Sequence, residues 1–104
     1  MPVTTVNGQD IHVNEEGFLT DPTEWDDELA TVLATQIGVT LTDEHWLVIR
    51  FLRADFATQG ETATLRRIST TGGVPVKQLF ALFPQKPAKK MAYIAGLPKP
   101  AGCV

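Results

Sequence analysis

A chain of 104 residues, 43% apolar and 20% charged with a net charge of −3, forms one domain and can bury a core without a metal or disulfide staple. No run approaches the roughly 18 apolar residues of a membrane span, and Met1-Pro2-Val3-Thr4-Thr5 lacks the basic and apolar regions of a secretory signal. The single cysteine, Cys103, cannot close an internal disulfide, so the expected compartment is the reducing cytoplasm.

In chain order, Val3–Val6 and Gln9–Val13 flank Asn7-Gly8, the preferred pair for a two-residue type I′ turn, and predict an N-terminal β-hairpin. Residues 14–20 read as a loop. Asp21-Pro22-Thr23-Glu24 has the form of a helix start, with an acidic cap and proline at the first helical position. Trp25, Leu29, Val32, Leu33 and Gln36 keep helical spacing from there to Gly38. The acids Glu24, Asp26, Asp27 and Glu28 suit the positive end of that helix dipole. Thr42 caps a second predicted helix that runs to about Gln59, with Gly60 as its stop and Trp46, Ile49, Leu52 or Arg53, and Phe56 tracing one face. Three shorter helices are predicted over Ala63–Thr70, Pro75–Phe83 and Pro87–Ala95, separated by Thr71-Gly72-Gly73 and by Pro84 with Pro87. The expected architecture is mainly α. A compact bundle of about five helices, with the hairpin at its start (residues 1–95), leads into a flexible, extended C-terminal arm (residues 96–104).

Charge is divided along the chain. Residues 1–61 hold all twelve acids against Arg50 and Arg53, a net −10; residues 62–104 hold seven bases and no acid, a net +7. Either the halves attract one another, or the basic half offers a docking face, with Arg66, Arg67, Lys86, Lys89 and Lys90 as the first candidates.

The candidate chemistry narrows to one atom. His12 and His45 have no ligand-type neighbours at metal spacing and read as surface or half-buried histidines. No metal, no cofactor, no phosphate-cradling glycine loop and no nucleophilic serine constellation is expected. Residues 63–83 have the outline of a helix-turn-helix with Arg66, Arg67 and Lys77 available for phosphates. However, Leu79, Phe80, Leu82 and Phe83 point to packing, and direct nucleic-acid binding is not expected. Cys103 remains. Gly102 and Val104 leave its sulfur accessible, and Pro98 and Pro100 stiffen the arm toward polyproline II, lowering the entropy lost on insertion into a partner. Seven residue steps from Gly96 give it a reach of at most roughly 25 Å. The adjoining terminal carboxylate disfavours the thiolate and Lys99 is its nearby counterweight, so a thiol that a docked partner must activate is expected.

Together Gly17-Phe18-Leu19, Trp25, the Trp46 helix, Leu79-Phe80-Ala81-Leu82-Phe83-Pro84 and, most specifically, Lys90 through Ala95-Gly96-Leu97-Pro98-Lys99-Pro100 to Gly102-Cys103-Val104 resemble the DsrC/TusE family, the proteins similar to the gamma subunit of dissimilatory sulfite reductase. The resemblance implies a sulfur carrier rather than a stand-alone enzyme. Cys103 would bear the persulfide, with Gly96, Leu97, Pro98, Lys99, Pro100 and Gly102 shaping and seating the arm. In the tRNA branch a sulfurtransferase complex of the TusBCD/DsrEFH type is the donor, and the enzyme that thiolates wobble uridine is the acceptor. In the dissimilatory branch the arm enters sulfite reductase, and a second arm cysteine lies eleven residues before the first. Here that position is Ala92, which favours the single-thiol relay of tRNA thiolation over the sulfite-reductase role, with a single-cysteine DsrC-like carrier in sulfur oxidation or sulfite reduction as the nearest alternative.

Overall fold

A computed structural model describes residues 3–6 and 8–100. Strand β1 (Val3–Val6) pairs antiparallel with β2 (Gln9–His12) in the register Val3↔His12 to Val6↔Gln9. That register needs a two-residue connection, and Gly8 takes φ +79° within it; Asn7, the other expected turn residue, lies outside the described residues. A further antiparallel bridge, Val13↔Leu19, closes the following loop and turns Ile11, Val13 and Leu19 inward.

The single helix expected from Asp21 to Gly38 is two pieces. Asp21 caps a 3-10 turn, Pro22–Glu24, by accepting from the Thr23 N–H at 3.0 Å. Trp25 is then extended (φ −84°, ψ 143°), and Asp26 caps helix α1 (Asp27–Gln36) by accepting from the Leu29 N–H at 2.7 Å. Two acidic caps five residues apart compete for one helix start, and the extended residue between them lets the indole of Trp25 reach the far end of the chain. Glu24, expected to serve the helix dipole, instead accepts from the His12 N–H at 2.8 Å and pairs with His12 Nδ1 at 2.7 Å, tying the hairpin to the turn.

Helix α2 (Asp43–Gln59) begins at Thr42 and ends on Gly60 in the left-handed region, as expected. Helices α3 (Leu65–Thr71), α4 (Val76–Leu82) and α5 (Pro87–Ala95) follow within two residues of their predicted bounds. Helix α5 packs against α1, α2 and α4, and α3 against α2 and α4. Their shared core holds Val48, Ile49, Leu52, Ile68, Leu79, Phe83, Met91 and Ile94, all essentially inaccessible. His45, expected at or near the surface, is buried. The Thr42 N–H donates to its Nδ1 at 3.1 Å, which leaves the proton on Nε2 to donate to the Leu82 carbonyl at 2.7 Å. Its ring meets Phe83 edge-on, with centroids 5.0 Å apart, so one side chain joins the start of α2 to the end of α4.

The divided charge is partly internal. Two of the four ion pairs among the described residues cross between the acidic and basic halves, Arg67–Asp55 and Lys99–Glu16. Arg67 grips both carboxylate oxygens of the buried Asp55 through Nε and Nη2 at 2.7–3.0 Å. Those hydrogen bonds hold the Asp55 carboxyl below its ordinary 3.8. A carboxylate depressed on folding contributes stability that is complete above its unfolded pKa and disappears as the pH falls through the folded value. In urea titrations between about pH 6 and pH 2, Asp55→Asn is therefore expected to lower the midpoint near neutrality and to flatten its decline below about pH 4.

Candidate functional site: the root of the C-terminal arm

At the end of helix α5 the Gly96 and Leu97 N–H groups serve the Ala92 and Tyr93 carbonyls, but those of Ile94 and Ala95 lie past the last turn of helical donors, and that turn carries no basic residue. Distant residues supply the donors. Trp25 Nε1 donates to the Ile94 carbonyl at 2.8 Å. Arg53, from α2, donates through Nη1 to the Ala95 carbonyl at 2.7 Å and through Nη2 to the Pro22 carbonyl at 2.9 Å. Its guanidinium lies 4.1 Å from the centre of the Trp25 ring, a cation–π contact. Burial lowers the Arg53 pKa from its ordinary value, yet a guanidinium stays charged at neutral pH and complements the negative end of α5.

Gly96 caps α5 with φ +70°, directly against Trp25. Leu97, expected to belong to an extended arm, is a core residue at 1% exposure, and its N–H reaches back to the Ala92 carbonyl at 3.0 Å. The buried Thr62, from the connection between α2 and α3, donates its hydroxyl to the Pro98 carbonyl at 2.7 Å. Lys99 is exposed and pairs with Glu16 at 3.5 Å, and Pro100 is buried. Of the sequence-derived arm residues, Gly96, Leu97, Pro98, Lys99 and Pro100 are thus seated on the body; Gly102 and Cys103 lie outside the described residues. Ala92, at the position of the second arm cysteine of the dissimilatory branch, is fully enclosed in α5.

The docking candidates divide. Arg66 and Lys86 are exposed. Arg67 is engaged by Asp55. Lys89 and Lys90 are half-buried beside a groove of about 450 Å³ that Glu16, Phe18, Ile37 and Tyr93 also line, and Lys90 donates to the Pro84 carbonyl. In the helix-turn-helix outline, Leu79 and Phe83 of the second segment are core residues, whereas Phe80 is 49% exposed. Among the described residues no group of three or more His, Cys, Asp or Glu is placed to hold a metal ion, and no helix is long and apolar enough to cross a membrane.

Sequence reasoning left Trp25, Arg53 and Thr62 out of the site. Trp25 entered only through the family resemblance, and Arg53 only as a cation beside Leu52 on the otherwise apolar face of α2.

Fold and arm root together define a small helical protein whose one thiol follows a tail secured at its base. The profile of the family described as "DsrC like protein" matches residues 5–104. The chain is 38% identical to the sulfurtransferase TusE of Yersinia pseudotuberculosis over 104 residues, covering 93% of this chain and 96% of the relative. The NMR structure of DsrC from Allochromatium vinosum superposes with a TM-score of 0.81 at 37% identity, covering 98% of this chain and 97% of the other. The oxidised gamma subunit of dissimilatory sulfite reductase from Archaeoglobus fulgidus gives 0.78 at 39%, covering 99% and 100%. The protein belongs to the DsrC-like family.

Proposed function

We propose that the protein is a cytoplasmic sulfur carrier that accepts persulfide sulfur on Cys103 and relays it toward 2-thiouridine at the tRNA wobble position. A sulfurtransferase complex of the TusBCD/DsrEFH type is its donor, and the tRNA-thiolating enzyme its acceptor. The observation that carries this reading is the single thiol, with alanine enclosed at position 92, in a chain whose relatives include proteins named as sulfurtransferases. One thiol suffices. Cys103 thiolate attacks the sulfane sulfur of a donor persulfide, the donor's S–S bond breaks, its thiolate leaves with the electron pair, and Cys103 holds the outer sulfur and its proton with no net oxidation. The chain cannot close the two-cysteine disulfide of the dissimilatory branch, which disfavours a product-carrier role in sulfite reduction.

The direct test is the intact mass after incubation with a cysteine desulfurase, cysteine and the donor complex. Gain of one sulfur atom, reversed by reductant, supports the carrier reading. No gain with any sulfurtransferase donor refutes it and returns the helix-turn-helix outline to consideration, to be settled by DNA binding that survives loss of Cys103.

Partner docking is assigned to the basic residues Arg66, Lys86, Lys89 and Lys90, with Arg67 held back by Asp55. Reversing Lys86 and Lys89 together to glutamate is expected to raise the Kd for the donor complex about tenfold in about 0.1 M salt. Most of that difference should disappear near 1 M, where charges beyond a few ångströms are screened. An equal Kd for wild type and variant at both salt concentrations removes the docking assignment.

A further inference from the structure

We propose that Thr62 is a positioning residue that sets where the usable arm begins, so that Cys103 is delivered on a short tether counted from Pro100 rather than a long one counted from Gly96. The inference rests on the carrier reading and concerns the geometry of delivery.

The contacts at the arm root differ in what they can explain. Arg53 on the Ala95 carbonyl and Trp25 on the Ile94 carbonyl complete the end of a helix, and a purely structural role accounts for them. The Thr62 hydroxyl on the Pro98 carbonyl lies beyond the helix, where there is no helical carbonyl left to cap. Pro98 and Pro100 have no N–H, so neither can donate a backbone hydrogen bond to the body. A side-chain donor is aimed at the Pro98 carbonyl instead, and Thr62 is itself buried, so its hydroxyl is spent there rather than on water. Leu97 and Pro100 are buried on either side of that bond. Three residue steps from Pro100 to Cys103 span at most roughly 11 Å, against roughly 25 Å for seven steps from Gly96. A shorter tether samples a smaller volume and raises the effective concentration of the thiol at a partner site docked within reach.

The single cysteine makes the test direct. Spin labels on Cys103 and on an exposed Thr58→Cys allow the distance distribution to be read by pulsed electron double resonance, alongside the rate of persulfide transfer from the donor complex to the unlabelled protein. Thr62→Val keeps the shape and deletes the donor. It is expected to broaden the distribution and to slow transfer about fivefold, the weight of one net hydrogen bond. Alkylation of Cys103 by iodoacetamide, which needs no docking, should be unchanged. Thr62→Ser, which keeps the hydroxyl donor, should restore both the distribution and the transfer rate. An unchanged distribution in Thr62→Val overturns the proposal, as does a broadened one with an undiminished transfer rate. If wild type accepts no sulfur from any donor, the carrier reading fails, and with it the delivery role. A broadened distribution would then still distinguish that failure from failure of the anchor.

Discussion

Replacing Cys103 by serine is expected to abolish sulfur loading completely while leaving the melting temperature within about 4 °C of wild type, the shift that about 0.5 kcal/mol produces in a domain of this size. The two halves of this expectation have separate causes. A persulfide is a sulfur–sulfur bond, and a serine hydroxyl has neither the acidity nor the polarisability to attack a sulfane sulfur; the ordinary thiol, with a pKa near 8.5, is at least a few per cent thiolate at neutral pH. Stability is expected to be spared because the substitution exchanges one sulfur for one oxygen and deletes no atom of the described core, which ends at Leu97. Intact mass spectrometry after donor treatment and a thermal melt check both. A residual gain of sulfur in Cys103→Ser would move the acceptor atom elsewhere in a chain that has no other thiol, and the carrier reading would fall with it.

Gly96→Ala is expected to cost about 3 kcal/mol, which for a domain of this size lowers the melting temperature by roughly 12–24 °C. Two penalties coincide. The backbone at position 96 has φ +70°, a region in which a side chain costs about 1 kcal/mol. An added Cβ would also stand 2.4 Å from Trp25 Cδ1, 2.8 Å from its Cγ and 2.9 Å from its Cβ. Trp25 cannot yield cheaply. Its indole N–H is bonded to Ile94 and its face lies against Arg53, so moving it releases the end of α5. Gly60→Ala is the internal control: φ there is +75°, but nothing lies within 4 Å of the added carbon. It should cost only the conformational part, about 1 kcal/mol. Equal melting temperatures for the two variants would mean that Trp25 does not brace the arm root.

The elements legible in advance are those written in short-range chemistry. Asn-Gly in the hairpin, Thr42 and Gly60 bounding α2, and Pro87 and Gly96 bounding α5 each act within one turn of the chain, so neighbouring residues suffice to place them. The family pattern around Gly96-Leu97-Pro98 and the lone Cys103 likewise stand in the primary structure, and they pointed to the DsrC-like family that the comparisons show. Local rules misled at Trp25. Asp21-Pro22 and Asp26 are both good helix starts, and the choice between them depends on where the indole is needed.

The root of the arm was not legible because its contacts span the chain. Trp25 meets Ile94 across 69 positions, Arg53 meets Ala95 across 42, and Thr62 meets Pro98 across 36. A tryptophan, an arginine on an apolar helix face and a threonine in a connection have no periodicity that announces such partners. His45 was underestimated for the same reason, since its burial depends on Leu82 and Phe83 at the far end of α4. Under the proposed function, which atom would carry sulfur follows from composition, because there is one thiol. How Gly96–Pro100 is seated follows from packing, because buried carbonyls must find donors wherever the folded chain brings them.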